Sequence, residues 1–301
     1  MASDPRRLQF LLAVHRAGGI LAAGDLLGIT PSAVSQQIAR LEQEEGFAVL
    51  ERTPRGVHLT PAGRVLVDAA ERIEAELVGA RQAIASLGDG VSGLVKLGAF
   101  QTSIRWIIAP ALTPLAMAYP ALEIDIIDGD PAEQAGMLRT GDLDLRVGER
   151  DAEVDATVPR GIAEVPLLDE PWRVIVPTGT PVPERLSDLT HLRFISGVEG
   201  TATDRAVKRL GKSLGVQIKT RHVTNDFATA VALVEAGQGA ALLPALALLG
   251  FPNREKFQVV RLTGLGARRL YVRHRANRRE PTPAVKAVVD ELVRVARGIE
   301  L

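Results

Sequence analysis

Two groups of polar side chains in this 301-residue sequence have types and spacings that can do chemistry. The first is Ser32, Ser35, Gln36 and Arg40, preceded by Thr30-Pro31 and followed by Arg52, Thr53 and Arg55. A glutamine amide sets a donor beside an acceptor and can pair in two directions with adenine, while hydroxyls and guanidiniums suit base edges and phosphates. The second is Gln101-Thr102-Ser103, Asp128, Arg146, Ser196, Thr203, Asn225 and Phe227. Most of these fall where a strand-like run gives way to a helix-like one. Hydroxyls, amides and the free N–H groups of a helix start suit a carboxylate or another anion there. Plain helix capping uses the same residue types, so each position taken singly has that second reading.

Other chemistries are closed to the chain. It has no cysteine, which removes disulfides, thiol nucleophiles, thiolate metal sites and cysteine redox switches together. Its five histidines (15, 58, 191, 222 and 274) are scattered with no metal-ligand spacing. No GxSxG, P-loop or GxGxxG run occurs. EAGQGAA ends a helix and begins a strand, the reverse of a dinucleotide fingerprint. No catalytic residue, metal or cofactor is expected, and the chain does not read as an enzyme.

The elements that must position the first group follow from periodicity. Pro5–Ala17 reads as a helix, with Leu8, Leu11, Leu12 and His15 on one face and His15 as a packing residue. Leu21–Leu27 is a second helix, with a tight turn at Gly28. Thr30 then suits an N-cap and Pro31 the first helical position. In the helix Pro31–Gln43, Val34, Ile38 and Leu41 form the apolar face, so Ser32, Gln36, Ala39 and Gln43 point outward. FAVLERTPRGVHLT gives two short extended runs around Pro54-Arg55-Gly56, a small wing whose arginines meet a DNA backbone or form an ordinary solvated turn. From Pro61 to about Leu87, Leu66, Ala70, Ile73, Leu77, Ala80, Ile84 and Leu87 repeat in steps of four and three. That seam predicts a partner helix from a second copy, the alternative being packing on its own domain. Gly88-Asp89-Gly90 breaks the helix.

The second group sits in a different pattern. LVKLGAF, LEIDIID and LDLRV are strands separated by helices over Ile104–Tyr119 and Glu133–Thr140. VPLL, WRVIVP, RFIS, IKTRHVT, AALLP and VVRL continue as strands, with helices over Asp204–Leu214 and Phe227–Ala236. A strand over Arg268–Arg275 and a helix over Thr282–Arg297 close the chain. Strands alternating with helices predict a parallel sheet covered on both faces. Arg146 in LDLRV is a charge in such a sheet; it pairs with Asp144 or Asp128, or it points into a cleft and selects an anion. Arg105 and Trp106 lie one turn beyond Thr102, and Trp106 suits core packing.

Length predicts two or three domains, and the 46% hydrophobic and 24% charged composition is that of a globular protein. No run of about 18 apolar residues exists, and the N-terminus lacks a signal-peptide core, so a cytoplasmic location with no membrane partner is expected. Formal net charge is zero. Residues 1–65 hold seven arginines and six carboxylates, a balance that permits nucleic acid without arguing for it.

The run AAGDLLGITPSAVSQQIARLEQEEGFAVLERTPRGVHLTPAG resembles the LysR-type transcriptional regulators, and YPALEIDIIDGD, GDLDLRV and VEAGQGAALLP resemble their effector domain. The resemblance covers nearly the whole chain. It implies a winged helix-turn-helix DNA-binding domain over 1–60, a linker and dimerisation helix with hinge over 61–90, and a two-lobed α/β effector domain over 91–301. The effector domain would have a periplasmic-binding-protein-like fold, with lobe one at 93–165 and 268–301 and lobe two at 166–267. It further implies a homodimer assembling into a tetramer, a quasi-palindromic double-stranded DNA site, a small-molecule effector with an anionic group bound between the lobes, and RNA polymerase as a partner. On that reading Thr30, Pro31, Ser32, Ser35, Gln36, Arg40, Arg52, Thr53 and Arg55 serve DNA. Gln101, Thr102, Ser103, Asp128, Arg146, Ser196, Thr203, Asn225 and Phe227 serve the effector, with Thr102 and Ser103 at the family's usual corner. The family usually has Ser or Thr at position 21 and Arg at position 22, where this chain has Leu21 and Ala22. It often has Arg at position 36, where Gln36 stands. These departures weaken phosphate contacts. The lack of cysteine sets the chain apart from the peroxide-sensing branch. The alternative is a ligand-binding or enzymatic α/β module with an interaction domain that regulates no gene.

Overall fold

A computed structural model of the chain describes residues 4–53, 56–85, 90–155, 157–159, 161–251, 255–276 and 281–301. The chain divides into two units, residues 1–88 with 135–143, and residues 89–134 with 144–301. No single helix among the described residues is long and apolar enough to cross a membrane.

The first unit opens with α1 (Pro5–Ala17), capped by the Asp4 carboxylate, which accepts from Arg6 N–H at 2.9 Å. α2 (Ile20–Leu27) and α3 (Pro31–Glu45) follow across Gly28, whose φ of 66° is open to glycine at little cost and turns the chain sharply. Leu8, Leu11, Leu12, Val34, Ile38 and Leu41 close one core with Val49, Val67 and Ala70. Burying such side chains stabilises by roughly 1.5–3 kcal/mol each, which is what holds three short helices together. His15 is exposed, contrary to the packing role expected of it, because Ala13 and Val14 take the inward positions at that end of α1. Strands β1 (Leu50–Thr53) and β2 (Gly56–Leu59) pair antiparallel, Leu50 opposite Leu59 and Thr53 opposite Gly56. α4 (Pro61–Ala85) starts at Thr60, whose hydroxyl accepts from Gly63 N–H at 2.9 Å and donates to Ala48 O at 2.8 Å.

The seam of α4 is divided between two environments. Val67 and Ala70 are buried in the three-helix core, with Leu66 and Ile73 packed against it, so the first half serves its own domain. Leu77 is 52% exposed and Ala80 is also exposed, so these two seam positions do not face that core. Position 87 and the break at 88–89 lie outside the described residues.

The second unit begins with β3 (Gly93–Ala99), then α5 (Gln101–Ser103), a π-helical turn over Ile104–Ile108 and α6 (Ala109–Ala118). The π turn departs from the single helix expected here. Pro110 has no N–H to give to the preceding turn, and the wider turn, closed by Ala109 N–H to Ile104 O, accommodates it. The chain continues through β4 (Leu122–Asp128), α7 (Pro131–Thr140), whose residues from 135 on are counted with the first unit, and β5 (Leu145–Asp151). β6 (Ile162–Pro177) is one strand of 16 residues where two were expected. Pro166 falls at the register shift opposite Leu270 and Tyr271, where a ladder donor is not needed. A 3-10 turn (Leu186–His191), β7 (Phe194–Ser196), α8 (Ala202–Leu214), β8 (Thr220–Val223), α9 (Phe227–Glu235), β9 (Ala240–Pro244), α10 (Ala245–Leu248), β10 (Phe257–Val260), β11 (Ala267–Arg275) and α11 (Pro283–Arg297) complete it.

These strands form one nine-stranded sheet in the order β4-β3-β5-β11-β6-β9-β7-β8, with β10 on β6. It is mixed, not wholly parallel as alternation suggested. β3 pairs β4 and β5 in parallel, as β7 pairs β8 and β9, whereas β11 and β6 run antiparallel to each other and to β5 and β9 respectively. The reason is that β6 and β11 are the two crossings between lobes. One core lies around Leu97, Ile107, Leu145 and Val288, and others lie around Trp172, Phe194 and Leu210 and around Ile175, Val231 and Phe257.

Candidate functional site

The helix pair presents a polar reading face. Thr30 Oγ1 accepts from Ala33 N–H at 3.3 Å and lies 3.0 Å from Ser32 Oγ, fixing the start of α3. With Val34, Ile38 and Leu41 turned inward, Ser32, Gln36, Ala39, Arg40 and Gln43 are exposed and Ser35 is half-buried. Pro31 occupies the first helical position. Arg52 and Thr53 belong to β1 by their backbone; Arg55 lies outside the described residues.

The acids near this face are largely occupied. Glu42 Oε1 accepts from Val49 N–H at 2.8 Å and Leu50 N–H at 3.2 Å, tying the end of α3 to the wing. Glu44 pairs with Arg7, and Glu74 of α4 with Arg16 at 2.7 Å. A carboxylate engaged in this way repels an approaching phosphate less than its formal charge suggests. A groove of about 730 Å³ between α1, the wing and α4 takes in His15, His58, Glu51 and Asp68. No group of three His, Asp or Glu among the described residues can hold a metal ion.

The second unit contains a cavity of about 600 Å³. Of the residues singled out from the sequence, Gln101, Thr102, Asp128, Arg146, Thr203, Asn225 and Phe227 line it, and Ser103 and Ser196 do not. Ser103 is fully buried; its hydroxyl donates to Phe100 O at 2.7 Å and accepts from Phe100 N–H at 3.2 Å, closing the turn into α5. Ser196 is buried in β7, where its carbonyl accepts from Thr224 N–H at 3.0 Å. Neither Arg105 nor Trp106 reaches the cavity, and Trp106 packs against the core. Asn225 Oδ1 accepts from Val198 N–H at 3.1 Å, joining two loops of the wall.

Arg146 is 8% exposed, and its Nε is buried without a hydrogen-bond partner. Among the described residues it pairs with neither of the carboxylates considered for it. Asp144 accepts from Lys96 N–H at 2.9 Å and lies 3.4 Å from Arg275, while Asp128 is exposed at the end of β4.

Sequence reasoning missed Arg268. It is 2% exposed on β11, gives its Nε to Glu170 and one Nη to Glu149, and donates the other Nη to Thr102 Oγ1 at 2.8 Å. Glu170 is wholly buried and also accepts from Leu246 N–H at 2.8 Å. Burial pushes the Glu170 carboxyl up, and Arg268 and the Leu246 N–H pull it back. Burial works against the charge on Arg268, and Glu170 and Glu149 more than offset it. A usable signal was present. Glu170 is a carboxylate inside LLDEPWRVIVP, and a charge within a buried strand demands a cation.

The sequence pattern of the LysR substrate binding domain matches residues 88–297, and that of the bacterial regulatory helix-turn-helix protein, lysR family, matches residues 5–64. The chain belongs to the LysR family. This LysR-family protein is a DNA-binding regulator with a helix-turn-helix, a linker helix and an effector-binding α/β domain, and it dimerises as the family does. It is 28% identical over 261 residues to the DNA-binding transcriptional dual regulator OxyR of Escherichia coli, covering 85% of this chain and 83% of that one. A full-length OxyR variant of Pseudomonas aeruginosa superposes with a TM-score of 0.66 at 19% identity, covering 99% of each chain. Full-length CbnR complexed with its target DNA gives 0.59 at 20% identity, covering 97% of this chain and 99% of that one. Whatever its relatives respond to, this regulator has no cysteine with which to do thiol chemistry.

Proposed function

We propose that this LysR-family regulator binds a small molecule bearing an anionic group in the cavity beside Arg146, and that binding alters how two or more DNA-reading heads are held. The observation that carries the reading is Arg146: a guanidinium almost wholly buried, with an unpartnered Nε, lining a cavity large enough for a metabolite. A buried cation without a counter-charge is costly, and an anion repays that cost on binding. Thr102, Thr203, Asn225 and Gln101 line the same space and add polar partners. The effector moves the protein only through differential affinity for two arrangements.

On the DNA side, Gln36 reads a base edge, with Ser32, Ser35 and Arg40 on bases or phosphates, and Thr30 and Pro31 set the helix start. Arg52, Thr53 and Arg55 of the wing follow the backbone. A two-fold assembly then calls for a quasi-palindromic site. The regulator works in the cytoplasm as a dimer of dimers and acts on RNA polymerase. Residues 1–60 read DNA, 61–90 dimerise and hinge, and 91–301 sense.

The test is an electrophoretic shift on DNA upstream of the protein's own gene, titrated with salt, beside a thermal-shift screen of small acids. A salt-sensitive shift and a stabilising acid whose effect vanishes in Arg146→Ala are the expected results. A DNA shift that no salt weakens, or acid stabilisation unchanged in Arg146→Ala, counts against the reading.

A further inference from the structure

The cavity carries four carboxylates, Asp128, Asp130, Glu149 and Glu199, against three guanidiniums, Arg146, Arg205 and Arg268. Most already have partners. Arg268 is divided among Glu170, Glu149 and Thr102. Glu149 also lies 3.6 Å from Arg205, which donates to Gly200 O at 2.6 Å. Asp130 accepts from Ala132 and Glu133 N–H at 2.8 and 3.0 Å, and Glu199 lies 3.6 Å from Lys208 at the surface.

Among the described residues, two charged groups of the cavity are left without such bonds, one of each sign. Arg146 is deep on β5, and Asp128 is exposed at the end of β4. Their strands flank β3, so the two backbones are about 10 Å apart. By register Arg146 stands level with Gly98 and Asp128 with Ala99, one residue further on. The two side chains therefore leave opposite faces of the sheet and share the cavity at the carboxyl ends of β3 and β4, beside Gln134.

We propose that the effector is a small zwitterion, with its carboxylate on Arg146 and its ammonium facing Asp128. This rests on the effector reading above and narrows it. Thr102 Oγ accepts from Arg268, which leaves its own O–H to donate, and a carboxylate on Arg146 is a suitable acceptor. A second negative charge on the ligand meets a wall in which carboxylates outnumber guanidiniums, whereas an ammonium is favoured there. A simple monocarboxylate satisfies Arg146 and leaves Asp128 unanswered.

The test is calorimetric titration of the full-length protein with probes matched on one carbon frame. The sets are L-leucine, isocaproate and isopentylamine; L-phenylalanine, hydrocinnamate and phenethylamine; and ε-aminocaproate, caproate and hexylamine. Glutarate and inorganic phosphate serve as dianions. In at least one set the zwitterion should bind roughly tenfold tighter than its carboxylate, the scale of one charge-assisted contact. Asp128→Asn should erase that advantage without weakening the carboxylate, whose affinity should hold or rise as a like charge is removed. Arg146→Gln should remove both, with Arg146→Lys, which keeps the charge, and circular dichroism as checks on folding. A carboxylate, glutarate or phosphate that binds through Arg146 as tightly as every zwitterion overturns the zwitterion and leaves the effector cavity standing. So does a zwitterion whose advantage survives Asp128→Asn. Absence of any binding that depends on Arg146 overturns both.

Discussion

Arg146 and Arg268 are buried guanidiniums on adjacent strands, and the protein treats them differently. Arg268 has two carboxylates and a hydroxyl; Arg146 has an open cavity. Removing Arg268 strands Glu170 in the interior, so Arg268→Met should cost roughly 3–5 kcal/mol, read as a lowered urea midpoint. Arg268→Met with Glu170→Leu should recover much of that loss. Gln36→Ala should cost about 1–3 kcal/mol of discrimination at one base in each half-site and leave other positions unchanged, as selection from a randomised operator will report. Asp226 caps α9, and its hydrogen bond from Thr229 holds its carboxyl below the usual range. A lowered pKa gives stability that is present at neutral pH and lost as pH falls through the folded value. The stability gap between the protein and Asp226→Asn should therefore be full at pH 7 and close below about pH 3.9, followed by thermal unfolding across pH. At this scale Arg146 was legible because its charge is out of place in an apolar strand. Arg268 stayed hidden because an arginine among the many of ARRLYVRHR looks like surface until its neighbours are known.

Helix boundaries were legible because their signals are chemical. Thr30-Pro31 and Thr60-Pro61 each mark a start, and Gly18, Gly28 and Gly46 mark ends in left-handed backbone. The seam of α4 was harder, since steps of four and three look the same against a core and against a partner. The structure separates them, with Leu66, Ala70 and Ile73 turned to the three-helix core and Leu77 left exposed. A buried leucine is worth about 1.5–3 kcal/mol, so Leu77→Glu should weaken the dimer roughly tenfold or more in sedimentation experiments while α1 to α3 stay folded. β6 escaped for a different reason. Its prolines read as breaks, yet a proline at a register shift or beside a crossing costs the ladder little.

At the scale of the whole molecule, alternation of strands and helices located the two lobes but not the direction of the strands that join them. Among the described residues β6 and β11 make the crossings, side by side as an antiparallel pair, with Arg268 opposite Glu170 where the sheet passes from one core to the other. Each lies between further strands, β11 against β5 and β6 against β9 and β10, so the joint is continuous sheet and not a loose linker. A load placed on one lobe reaches the other through these two strands, and the Arg268–Glu170 ion pair fastens them to each other at the joint.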